Sequence, residues 1–156
     1  MAKTKSWEIS KLSCKQDLTS AAKVILNQRL ENLLSGINYY FTDISSENLH
    51  QVRISLRRVR YSMELFLKCF NRKKYMGFYK IISSLQDISG EVRDLEILKQ
   101  NLKRFSKGSA LKADKINFTK IEVEKNQFQS RLKLELMKFM HGKELKDFKK
   151  LINLHI

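Results

Sequence analysis

The stretch from His50 to Phe66, HQVRISLRRVRYSMELF, sets one histidine and four arginines within eleven residues. A guanidinium is a planar, permanently charged fork that takes two oxygens of a phosphate at once, which a lysine ammonium does not do. An imidazole whose ordinary pKa lies near 6.5 can donate to a phosphate oxygen beside it. The spacing matters as much as the residue types. At ~100° per residue, with His50 at zero, Arg53 lies at about 300°, Arg57 at about 340° and Arg60 at about 280°. Val52, Leu56, Val59, Met63, Phe66 and Phe70 fall between roughly 160° and 240°, so one face is core and a cationic stripe borders it. Arg58 points elsewhere, at about 80°. Like charges three and four residues apart on a helix repel. Glu64, one turn beyond Arg60, can neutralise one arginine but not three. A stripe of this kind, about 15 Å long, suits a linear run of phosphates.

Two other helical segments place a cation where an apolar residue is expected. Arg29 falls within the arc of Leu18, Ala22, Ile25 and Leu33, and Lys125 sits amid Ile121, Phe128 and Leu132. Long cations at such positions commonly run their stems along apolar surface and expose the charge. Both lie near the middle of their helices, so a bundle that opens into a trough would turn them toward the stripe. Arg93 shares a polar face with Gln86, Gln100 and Arg104, and its neighbour Asp94 is a candidate partner for an arginine of the basic helix.

The elements that must position these groups read as helices. In 156 residues there is no proline and there are five glycines, a composition suited to long helices. A first helix opens near Asp17 and ends around Tyr39 to Phe41. TDISSEN then offers capping residues, with Ser45 or Ser46 as acceptor and Glu47 as first-turn charge. The basic helix runs from about Glu47 to Phe70. NRKKYMG joins it to a third, from near Phe78 to Phe105, interrupted by Gly90, which is read as room for another helix. Ser106 to Lys115 is the connection to a last long helix, which Gly142 nicks before a short tail helix. The expected fold is all-α: an antiparallel four-helix bundle of long amphipathic helices, one domain over 1–156. Leu56, Val59, Met63, Leu85, Val92, Phe128 and Leu132 are expected to be buried.

With 31 Lys and Arg against 16 Asp and Glu, the formal net charge is +15. Such a surplus opposes the compact state and points to a polyanionic partner: nucleic acid, anionic lipid or inorganic polyphosphate. Cys14 and Cys69 make no disulfide framework, and His50, His141 and His155 are too scattered for a metal site. No run approaches the ~20 apolar residues of a membrane span, and no signal peptide precedes the first helix. The expectation is a cytoplasmic protein that needs no metal or cofactor and has no membrane role.

HQVRISLRRVRYSMELF resembles the signature of the CHAD family, the conserved histidine α-helical domain. Its His-x-x-Arg-x-x-x-Arg-Arg-x-Arg pattern falls on His50, Arg53, Arg57, Arg58 and Arg60. A second family stretch, Leu-Gly-x-x-Arg-Asp-like, resembles SGEVRDLEIL and falls on Gly90, Arg93 and Asp94, with Ser89 where leucine is usual. The resemblance implies binding of inorganic polyphosphate. It also implies a fold of two related four-helix bundles around a basic channel, of which this chain covers one. A homodimer that apposes two basic faces would restore the second. RYSMELF, Arg60 to Phe66, is also similar to the matching segment of the family's second half. Polyphosphate is then expected to meet His50, Arg53, Arg57, Arg58 and Arg60, with Arg29, Arg93 and Lys125 extending the surface.

Two other classes compete with this reading. Phosphoryl transfer or polyphosphate hydrolysis wants metals held by carboxylates. The basic segment supplies only Glu64, since Asp87, Glu91 and Asp94 lie on another helix, and no glycine-rich phosphate loop is present. A histidine phosphotransfer bundle would use one reactive histidine, but His50 starts a helix whose arginines would hold phosphate firmly. The sequence is therefore read as non-enzymatic. Nucleic-acid binding is the stronger rival, because any polyanion answers the charge. Against base reading, the stripe abuts the core and has no Asn or Gln among its arginines.

Overall fold

The computed structural model describes residues 7–9, 17–108 and 115–153. Five α-helices follow one another: α1 (Leu18–Thr42), α2 (Ser46–Leu65), α3 (Arg72–Gly108), α4 (Lys115–His141) and α5 (Lys143–Leu151), with a 3-10 turn at Leu67–Cys69. No strand occurs among the described residues. The fold is an all-α bundle, with four long helices and a short fifth. Residues 109–114, within the expected connection, lie outside the described residues, as do Cys14 and His155.

The caps explain where the helices begin. Asp17 accepts from the Ser20 amide at 2.6 Å and opens α1. That bond to its charged form holds the Asp17 carboxyl below its ordinary pKa. Ser45 accepts from the Asn48 amide at 3.1 Å and opens α2, with Glu47 in the first turn. The third cap was not read from the sequence. Asn71 accepts from the Lys73 amide at 3.1 Å, and its carbonyl takes the Tyr75 amide at 3.2 Å. So α2 stops at Leu65 instead of running to Phe70, and α3 starts at Arg72 instead of near Phe78. Gly77 lies inside α3, a modest local cost of ~1 kcal/mol that does not break a helix fixed by its packing.

Each helix packs on the next in sequence, α4 also reaches α1, and α5 lies against α3 and α4. The core runs from Ala22, Leu26, Leu33 and Ile37 through Leu49, Leu56, Val59 and Met63 to Phe78, Leu85, Val92, Leu132 and Leu136. Of the residues expected to be buried, Leu56, Val59, Met63, Leu85, Val92 and Leu132 are. Phe128 is half-buried and packs on the edge of the core. Leu18 and Leu98 keep the helical period but are exposed, Leu18 in the first turn of α1. Gly142 separates α4 from α5 by space: its φ of −76° suits any residue, but a Cβ there would lie 2.9 Å from the Lys138 carbonyl oxygen. Phe148 of α5 then stacks on Phe78 with centroids 3.9 Å apart. Asn27 of α1 donates to the Ile152 carbonyl at 2.6 Å.

The turn between α2 and α3 is held by Tyr75. Its ring stacks on Phe70 at 5.2 Å. Its buried hydroxyl donates to the Met63 carbonyl at 2.6 Å. Tyr75→Phe keeps the stack and leaves a buried acceptor unmet, so it is expected to cost about 1–2 kcal/mol. A lower urea midpoint at unchanged m-value checks this; an unchanged midpoint would show that the hydroxyl contributes nothing.

Candidate anion-binding surface

Side-chain pairs fix how α2 and α3 lie together. Arg60 meets Tyr79 and Gln86, Arg53 lies near Gly90, and Ser46 meets Arg93 and Glu96. Numbers fall along one helix as they rise along the other, so the two helices run in opposite directions. The positions on α2 that make these contacts are the shoulder of its outward face. From Ser46 to Arg60 that shoulder extends ~21 Å, at 1.5 Å per residue.

At one end Arg60 is fixed from three sides. Its Nε donates to Glu64 Oε1 and to the Tyr79 hydroxyl, both at 3.2 Å, and Nη1 donates to Gln86 Oε1 at 3.3 Å. The Tyr79 hydroxyl in turn donates to Glu64 at 2.6 Å. Tyr79 first, and then Glu64, hold the Arg60 pKa above its ordinary value. The guanidinium keeps its charge and loses its freedom to wander. Arg57, one turn away, is exposed, with its guanidinium 5.8 Å from the Tyr61 ring centroid. His50 is exposed one turn before Arg53.

Arg53 is half-buried, and its Nε is enclosed without a hydrogen-bond partner among the described residues. An ideal Cβ on Gly90 would sit 3.7 Å from Arg53 Nη2, which is ordinary van der Waals contact. Gly90 therefore faces a side chain, not the backbone of another helix as the sequence had suggested.

The other motif arginine lies on the opposite shoulder. Arg58 faces α1, where Arg29 is its neighbour. Arg29 is half-buried; Nη2 donates to the Trp7 carbonyl at 3.4 Å, while Nε and Nη1 are enclosed without partners among the described residues. Burial first, and then the charge of Arg58, push its pKa below the ordinary value. The expected common trough is thus not formed. Arg29 lies beside Arg58, a like charge, on the α1 shoulder, while Lys125 lies at the far end of the α3 shoulder, in a pocket with Ser46.

Arg93 serves that same end. Its Nη1 donates to Ser46 Oγ at 2.8 Å and to Glu96 Oε2 at 3.4 Å, and Ser46 Oγ donates to Glu96 at 2.6 Å. Asp94, the candidate partner for an arginine of α2, is exposed; among the described residues the carboxylates that meet arginines are Glu64 and Glu96. Neither Ser46 nor Glu96 was read as part of the surface. Ser46 does sit at about 320° on the same angular scale as His50 and Arg57, which is the signal that could have found it.

Gly90→Ala is expected to stabilise the protein by about 0.5–1 kcal/mol, since alanine relieves the glycine cost inside a helix and its methyl group fits beside Arg53. Gly90→Leu should displace Arg53 and weaken anion binding. Thermal melts and calorimetry on both variants check this, and a destabilised Gly90→Ala would contradict it.

No curated protein and no solved structure matches the chain. The sequence profile of the CHAD domain matches residues 2–103. That span takes in α1, α2 and most of α3, with both shoulders of the basic face. It covers about two thirds of the 156 residues, and the chain therefore belongs to the CHAD domain family.

Proposed function

We propose that the protein binds inorganic polyphosphate along the outward face of α2 and performs no chemistry on it. The observation that carries the reading is the state of the guanidiniums. Arg53 and Arg29 each enclose N–H donors that no described protein group satisfies, and Arg29 has another guanidinium as its neighbour. Buried donors without partners cost about 1–3 kcal/mol each, more when charged. A phosphate at the accessible edge of either guanidinium offsets the like-charge repulsion, and a turn of the side chain toward it would bring the enclosed donors to its oxygens. The association of the family with polyphosphate supports a chain of phosphates as the source.

The carboxylates beside this face are already engaged. Glu64 holds Arg60 with Tyr79, and Glu96 holds Arg93 with Ser46. They orient cations instead of standing ready to hold a metal, which favours binding over catalysis. The exposed side chains His50 and Arg57 are the first contacts, with Arg53 and Arg60 behind them on one shoulder and Arg58 with Arg29 on the other. No helix among the described residues is long and apolar enough to cross a membrane. Cys69 is a free thiol, in keeping with a reducing, cytoplasmic setting.

Replacing Arg57 by alanine should weaken polyphosphate binding about tenfold, the equivalent of one desolvated charge-assisted hydrogen bond. Replacing Lys146, exposed on α5, should cost much less. Calorimetry at one ionic strength, with duplex DNA as competitor, decides the matter. Equal losses in the two variants, or stronger binding of DNA, would favour diffuse attraction to any polyanion and the nucleic-acid reading.

An open face also fits a homodimer in which two copies enclose the phosphate chain between their α2 helices. Light scattering with and without polyphosphate should then give twice the monomer mass. A monomer under both conditions would restrict the protein to an open surface.

A further inference from the structure

The outer face of α3 carries its charge in two separate blocks. With Lys80 at zero and ~100° per residue, Lys73 and Glu91 lie at about 20°, Asp87 at about 340° and Asp94 at about 320°. All five are exposed. The two lysines come first along the helix and the three carboxylates follow. Charges on one helix pair three or four residues apart. Lys80 and Asp87, the closest opposite charges on this face, are separated by ~10 Å along the axis, so the blocks do not neutralise each other within the helix. None of the five side chains has an ion-pair partner among the described residues. Lys80 shares a cavity with Glu135 and Glu144 but pairs with neither, and Glu135 is taken by Lys138. On a chain of net charge +15, three neighbouring carboxylates without a cation are the exception.

The pattern is self-complementary. A second α3, laid antiparallel on the first about a two-fold axis between Ser83 and Ser84, sets position 73 opposite 94 and position 80 opposite 87. That single register matches Lys73 with the partner's Asp94 and Lys80 with the partner's Asp87, and the axis generates each pair twice. Glu91 falls opposite position 76, between the partner's two lysines. A parallel alignment in register would set like charges together instead. Near the axis the side chains are small. Gly77 and Ser84 are exposed, and a Cβ on Gly77 would meet nothing within 4 Å, so the helices have room to approach. Beyond the charges, the exposed Leu98 falls opposite position 69, at the turn that follows the exposed Leu65 of α2.

We infer that this face of α3 docks on the same face of a second copy of the chain, antiparallel and in that register. The seam stands apart from the arginines of α2 and forms without polyphosphate. From Lys73 to Asp94 it is ~30 Å long. A contact of one helix on another is small beside standard stable interfaces, so the dimer is reversible, in the micromolar range. At ~0.15 M salt, charges more than ~8 Å apart are largely screened. Repulsion between the two net charges is therefore damped, while the pairs across the seam persist. The same axis returns the two α2 helices to one flank, antiparallel and side by side. The seam thereby names the contact for a homodimer whose arginine faces border one groove.

Sedimentation of the full-length protein without polyphosphate, at ~0.15 M salt and across micromolar concentrations, should pass from monomer to dimer. Lys80→Glu and Asp87→Lys each turn two attractive pairs into repulsive ones, and each should weaken the dimer about tenfold or more. The double variant exchanges the two charges, restores both pairs across the axis and should regain the wild-type affinity. Both side chains are exposed, and circular dichroism should show unchanged helicity in every variant. Wild type that stays monomeric overturns the seam. So do single variants that dimerise like wild type, or a double variant as weak as the singles. A dimer that needs polyphosphate and ignores the charge exchange also overturns it, in favour of α2 faces joined by ligand alone. Calorimetry with polyphosphate on the same samples separates the two readings. A monomeric wild type that binds polyphosphate sinks the seam alone. A dimer that follows the charge exchange but binds no polyphosphate keeps the seam and sinks the polyphosphate reading.

Discussion

The structure depends on α2 burying one face completely while the rest of its surface carries concentrated positive charge. Leu49, Val52, Leu56, Val59 and Met63 are all buried. At ~1.5–3 kcal/mol for each such side chain, burial contributes on the order of 10 kcal/mol. The like-charge neighbours His50, Arg53, Arg57 and Arg60 cost only about 0.2–0.5 kcal/mol per pair in an isolated helix. Burial wins by a wide margin, so the repulsion does not melt the helix. It leaves that face of α2 with a concentrated positive potential. For the same reason α1 and α3 must flank α2 on its two shoulders, because a helix with a single neighbour could not bury the full arc.

The few carboxylates near the basic face are used locally. Glu64 works together with Tyr79, a half-buried residue of α3, so that Arg60 is tied to both helices at once. Glu96 does the same with Ser46 of α2 and Arg93 of α3. Each carboxylate thus locks α2 to α3 at one end of the shoulder. Arg53 and Arg57, between those ends, have no ionic lock of this kind among the described residues. The rigid ends set the helix spacing, and the charge of the middle is left without a carboxylate lock among the described residues. Surface pairs of this type contribute little to overall stability; their effect is on orientation.

What the sequence revealed and what it hid divide along the same physical line. The stripe on α2 was legible because it needs only the period of one helix, and the caps at Asp17 and Ser45 were legible because they are local. Asn71 is just as local, but the glycine and run of charge in NRKKYMG have the composition of a loop, while packing holds the segment as the first turns of α3. Partners on other helices were not legible. Asp94 follows Arg93 in the family-like motif, yet Glu96 is the residue that turns toward Ser46, because two residues, about 200° around α3, separate the exposed from the buried side. Arg29 was recognised as a cation on an apolar face, but whether it joined the stripe or the opposite shoulder depended on how α1 crosses α2. No periodicity within α1 contains that angle. Phe128, counted as core from its spacing, is only half-buried because the packing around the bundle thins toward the first half of α4.

The segments beyond the family match serve the two ends of the bundle differently. At one end α5 fills the core, laying Phe148 on Phe78 and setting Ile152 against α1 through Asn27. At the other end α4 brings Lys125 and Gln129 to the start of α2, where Glu122 is the carboxylate that partly offsets Lys99 and its neighbours. The first role is apolar and buries aromatic surface of α3. The second is polar: Lys99 of α3 pairs with Glu122 of α4, and Lys99 and Lys103 of α3 both lie over the Phe118 ring of α4. Ionic and ring contacts therefore fix how α4 lies on α3 at the end where apolar burial is thinnest, which the stripe on α2 could not do by itself.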